Sequence, residues 1–176
     1  MIRRVAPFLL SQGGWIAVAT LAAHGRGISA AMTAAAVAGA IVLLSRQRAR
    51  TALFAAAAAL LGPLADVPLA RAGLLILHEP LLLGVVMPLW WWGLWAMFGA
   101  ALPASFGWLR GRTSLAALLG ALGGPPAYAA GAGLGAIALP ARAWPSLVAI
   151  GAVWAVLMPL AVLAASHVVP QRGLKQ

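Results

Sequence analysis

Six long apolar stretches, separated by short polar and basic clusters, organise this chain. They predict membrane spans at about 6–23, 28–44, 51–70, 81–102, 113–139 and 146–166. Each is near the roughly 20 apolar residues that cross a hydrocarbon core of about 30 Å. His24-Gly25-Arg26-Gly27 turns the chain after the first span, and Ser45-Arg46-Gln47-Arg48-Ala49-Arg50 ends the second. Pro80 opens the fourth, at a first helical turn where its missing N–H costs little. The fifth is long and is predicted to break at Gly123-Gly124-Pro125-Pro126. The second is built from Ala, Gly, Val and Ile, mostly small residues that let helices approach closely where lipid supplies no hydrophobic drive for association. The expected fold is an all-α polytopic bundle of six transmembrane helices in three hairpins, a single membrane domain over residues 1–176.

Composition agrees with this pattern. Apolar residues make up 64% of the chain, charged residues 8%, and mean hydropathy is +0.99. A soluble domain carries about 25% charged residues, so water is not the main solvent here. The net charge of +10 lies between the spans rather than on a solvated stripe, which excludes nucleic acid as a partner. Membrane lipids, and other membrane proteins, are the expected partners. With a cytoplasmic N-terminus, Arg3, Arg4, Arg46, Arg48, Arg50, Arg110, Arg112, Arg172 and Lys175 fall on one side and Arg26, Arg71 and Arg142 on the other. By the positive-inside rule both termini are cytoplasmic. Cysteine is absent, which removes disulfides and thiolate chemistry. The start, Met1-Ile2-Arg3-Arg4 and an apolar run with Ala17-Val18-Ala19, imitates a signal peptide. The run continues to His24, and the next span would lose its hairpin partner on cleavage, so the segment is expected to be retained. Gly-Gly at 13–14 and 123–124, and Met-Pro-Leu at 87–89 and 158–160, are the only faint signs of repetition.

Spans four and five carry a resemblance. Pro88-Leu89-Trp90 with Leu94-Trp95 and Phe98, then Ser105-Phe106-Gly107-Trp108-Leu109, then Leu118-Leu119-Gly120-Ala121-Leu122-Gly123-Gly124-Pro125 with Tyr128, Gly131 and Leu134-Gly135-Ala136, resemble the bacterial inner-membrane family catalogued as domain of unknown function 2878. Gln12-Gly13-Gly14-Trp15, His24-Gly25 and Asp66 extend the likeness over nearly the whole chain. The resemblance implies a multi-span helical protein of the bacterial inner membrane and no established activity. Similar members read Asn-His-Ser-Leu where this chain has Pro103-Ala104-Ser105-Phe106, so a histidine acting there would be missing here.

Asp66 is one of only two acidic residues, and it lies inside an apolar span. An ionisable group in that setting costs roughly 2.5–3.5 kcal/mol on insertion scales and marks a functional site by default. It is the candidate catalytic residue. By helical rise two tiers emerge. A middle tier holds Gln12, Trp15, the cluster Trp90, Trp91, Trp92 and Trp95, the Gly-Gly-Pro-Pro break and Tyr128. Tryptophan prefers the interface, so a mid-depth cluster beside a broken helix reads either as a pocket for a flat or long apolar ligand or as gap-filling between small-residue helices. An outer tier holds the polar cluster of His24, His78 and Glu79 with Asp66 and Arg71. Asp66 and Arg71 are five residues apart, about 140° around a regular helix, so they pair only if Pro68 distorts it.

These tiers allow three functional readings. The leading one is an amphiphilic, lipid-like ligand held between spans one, three, four and five for transfer or modification, with Gln12, Trp15, Trp90, Trp91, Trp95 and Tyr128 along it and Asp66 and Arg71 at its polar end. The others are a non-catalytic accessory subunit or assembly factor, and a small proton-coupled transporter using Asp66. No HExxH-type spacing is present, so no metal is assigned, and no fingerprint identifies a cofactor.

Overall fold

The computed structural model describes residues 2–79 and 87–169. Its helices are α1 (Ile2–Ala23), α2 (Gly27–Leu44), α3 (Arg48–Arg71), α4 (Leu89–Ser105), α5 (Thr113–Gly133) and α6 (Trp144–Val168). Five of the six are long and apolar enough to cross a membrane, and α4 is described over 17 residues. Large apolar side chains face outward rather than inward: Leu53, Leu60, Leu61 and Leu64 on α3, and Val148, Val156, Leu160 and Leu163 on α6. So wide an apolar exterior belongs in lipid, and the chain is a multi-pass membrane protein.

Consecutive helices pack as three hairpins, and α4 is the centre of the bundle, touching α1, α2, α3 and α6. Its glycines explain this position. A Cβ on Gly93 would stand 2.5 Å from the Ala34 Cβ of α2, and one on Gly99 would stand 2.5 Å from the Ala58 Cβ of α3. Without side chains there, the neighbouring helices close onto two sides of α4. On α6, Gly151 meets α5, while Gly120 and Gly124 of α5 accept the Trp154 backbone and ring.

Two short strands, β1 (Ile76–Leu77) and β2 (Ile137–Ala138), pair antiparallel and were not expected in an all-helical chain. They join the α3–α4 and α5–α6 connections at one end of the bundle. The α1–α2 turn is there too, since Gly27 lies against the Glu79 carboxylate and Gly135 lies near Ala23. That end carries Arg26, Arg71 and Arg142. The opposite end holds Arg46, Arg48, Arg50, Arg110 and Arg112. There Arg110 donates to the Val169 carbonyl at 2.7 Å, meeting an acceptor left free by the end of α6. Burial lowers the Arg110 pKa from its ordinary value.

Two span expectations need correction. Helix α5 runs unbroken through Gly123-Gly124-Pro125-Pro126. Each proline removes one N–H but holds a helical φ, and the Ala121 carbonyl freed by Pro125 lies against Gly151 of α6. The helix ends at Gly133 rather than near 139, because Gly135 adopts φ +83° and turns the chain into β2. The fourth helix begins at Leu89, preceded by an extended Pro88 with ψ 149°. Proline also disfavours helical backbone in the residue before it. The tryptophans therefore occupy the first two turns of α4, not its middle. The expectation of helix over 81–86, opened by Pro80, lies outside the described residues, as does the tail with Arg172 and Lys175.

Candidate functional site

Asp66 is fully buried in α3 and accepts three hydrogen bonds. Trp91 and Trp95 donate to Oδ2 at 2.8 and 3.0 Å, and Tyr128 donates to Oδ1. The geometry follows from two helical spacings. Trp91 and Trp95 are four apart on α4, so both indoles lie on one face. Gly62 is one turn before Asp66 on α3, and its missing side chain leaves room for the Trp95 ring, which a Cβ would strike at 2.1 Å. The Trp95 N–H then reaches Asp66. A carboxyl at this depth is costly unless its lone pairs are met, and three neutral donors meet them.

The same carboxyl fixes three aromatic side chains. Trp91 packs edge-on against Trp90 and Tyr128, at centroid distances of 5.1 and 6.0 Å. Trp95 stacks on Trp154 of α6 at 5.3 Å with 4° between planes, and Phe98 meets Trp154 edge-on. The buried Trp154 N–H makes no hydrogen bond of good geometry and lies beside Tyr128.

These rings form one wall of a cavity of about 440 Å³ enclosed by α1, α4, α5 and α6. That is within the 300–1,000 Å³ of small-molecule sites. Its lining on α1 runs from Phe8 to Ala19 and on α5 from Leu119 to Gly131, so it extends roughly 16–18 Å along the helix axes. Ser11, Gln12 and Tyr128 are its polar side chains, and no charged residue lines it among the described residues. Asp66 stands behind the aromatic wall, not in it.

Of the residues singled out in the sequence, Gln12, Trp15, Trp90, Trp91, Trp95 and Tyr128 line the cavity, with Gln12 exposed at its edge. The separation into two tiers does not persist. Asp66, placed with the outer polar residues, bonds directly to Trp91, Trp95 and Tyr128, because a later start of α4 moves the tryptophans to its level. Arg71 is exposed at the end of α3, which continues through Pro68 and keeps the two side chains on different faces. His24 donates to the Thr20 carbonyl at the end of α1, and His78 to the Gly135 carbonyl, tying the two connections together. Glu79 lies against the N-terminus of α2, where the helix dipole favours an anion. No three His, Asp or Glu residues come together as a metal site among the described residues. Ser11, Phe98 and Trp154 are lining residues that sequence reasoning missed. Trp154 carried the same signal as the α4 cluster, an indole deep in an apolar span.

Neither the curated proteins nor the solved structures contain a match to this chain. A family model does match, over residues 4–160, described as protein of unknown function (DUF2878). That match takes in every residue of the Asp66 cluster and the whole cavity lining, and the chain belongs to this family.

Proposed function

We propose that this is a protein of the bacterial inner membrane, with six spans and both termini cytoplasmic, that holds an amphiphilic, lipid-like molecule for transfer or modification. The observation that carries the reading is the cavity, apolar, aromatic-walled and uncharged, with its wall locked by Asp66. Asp66 is then a positioning residue. It orients Trp91, Trp95 and Tyr128 and does not touch the ligand. The gathering of Arg46, Arg48, Arg50, Arg110 and Arg112 at one end supports the orientation.

The test uses Gly123, which lines the cavity and whose added Cβ would meet nothing within 4 Å. The protein is purified in mild detergent, and bound molecules are identified by native mass spectrometry and lipid extraction. A stoichiometric lipid in wild type that is lost in Gly123→Leu, with the bundle still folded, supports the reading. No small molecule in wild type, or full retention in Gly123→Leu, counts against it.

A further inference from the structure

The cavity has a side entrance and an elongated form. Helix α1 packs on α2 and α4, and α5 packs on α6, but α1 and α5 do not pack extensively on each other. Gln12 on α1 and Gly123 and Ala127 on α5, exposed lining residues like Phe8 nearer one end, lie along this gap. Both ends are stopped. Buried Ala136 and Ile137 close the end at the β1–β2 ladder, and Phe8 meets Phe106 edge-on at 6.4 Å at the other. Ile16 beside the gap on α1, and Leu118 and Leu122 on α5, are exposed apolar residues, so the gap opens onto hydrocarbon. The lining runs for roughly 16–18 Å along the helix axes, an elongated form that suits an extended aliphatic chain. Among the described residues the lining offers no cation to neutralise a phosphate or carboxylate, and the Asp66 carboxyl lies just behind Tyr128.

We infer that the gap between α1 and α5 is a lateral entrance through which an uncharged aliphatic chain passes from the bilayer into the cavity, its charged or polar headgroup staying outside. This rests on the cavity being a ligand site, as proposed above, and adds the class of occupant and its route. A molecule charged at both ends is excluded, because one charge would have to enter a site that cannot solvate it.

The full chain is tested in lipid nanodiscs with a photoreactive long-chain fatty acid as probe, competed by the unlabelled fatty acid or by the dicarboxylic acid of the same length. The monoacid is expected to compete at least tenfold better than the diacid. Since the chain has no cysteine, Gln12→Cys with Ala127→Cys places a unique pair across the gap. Bridging it with a reversible bifunctional thiosulfonate is expected to slow labelling at least tenfold, and reduction to restore it. Equal competition by the diacid overturns the inference. So does an unchanged labelling rate in bridged protein, or a pair too far apart to bridge. Loss of labelling in Gly123→Leu alongside any of those three results leaves the cavity reading standing and removes only the inferred occupant or entrance. Unchanged labelling in Gly123→Leu, or none in wild type, removes both.

Discussion

Replacing Asp66 by alanine strips the acceptor from three donors at once. Trp91, Trp95 and Tyr128 would be left pointing at an empty, buried space. Hydrogen bonds to charged groups in soluble proteins contribute about 1.5–3 kcal/mol each. Within membranes the unfolded chain also finds partners, and interhelical bonds average about 0.6 kcal/mol, with a maximum near 1.7. The membrane values are the relevant ones here. They give about 2–5 kcal/mol for Asp66→Ala, a large fraction of an ordinary folding free energy of about 5–15 kcal/mol. Asp66→Asn should cost less, about 1–2 kcal/mol. Its one oxygen can serve both indoles, and the Tyr128 hydroxyl can rotate to accept from the new amide. Reversible unfolding in mixed micelles, followed by tryptophan emission, measures both. The order wild type, Asn, Ala is expected, with a double-mutant cycle between Asp66→Asn and Trp91→Phe showing coupling. Asp66→Ala within 0.5 kcal/mol of wild type would refute the idea that this carboxyl organises the aromatic wall.

Two further expectations are independent of any ligand. Gly120→Ala should destabilise the α5–α6 hairpin, because the new Cβ would stand 2.1 Å from the Trp154 backbone carbonyl, whereas Gly123→Ala, with open space around it, should be neutral or gain up to about 1 kcal/mol from helix propensity; thermal unfolding of the pair in detergent decides. A reporter fused after Arg48 should give a cytoplasmic signal and one inserted at Gly73 a periplasmic one, and the reverse pattern would overturn the proposed orientation.

The order and approximate limits of the helices were legible in hydropathy alone, since an outward-facing apolar surface leaves a run for every span. Asp66 was legible because one acid in so apolar a chain has few harmless explanations. Its partners were not. Hydropathy measures how apolar a segment is and says nothing about where its helix starts, so Met87 and Pro88 were counted as helix and the tryptophans were placed a tier away from Asp66. The α5 prolines misled for a related reason. A proline pair reads as a break in isolation, but here the neighbouring helix, approached through Gly151, supports the backbone. Six lining residues were legible as a mid-depth aromatic and polar set, but the enclosing helices were not all so: span three was expected and α6 takes its place, because the enclosure depends on which helices fail to pack and no local pattern records a missing contact. His78 likewise gave no sign in sequence that it would reach Gly135, fifty-seven residues away.

The Asp66 cluster also constrains how the protein is made. Two of its three donors arrive on the next helix, 25 and 29 residues later in the chain, and the third on the one after that. When α3 leaves the insertion machinery alone, its carboxyl has no partner and carries part of the roughly 2.5–3.5 kcal/mol that an acid costs at the centre of a span, Asp66 lying nearer the Arg71 end. The indoles of α4 lift most of that penalty, and Tyr128 completes the set. Burial of Asp66 therefore favours α3 and α4 settling as a hairpin, and the carboxyl is fully met only when α5 docks and brings Tyr128 to Oδ1.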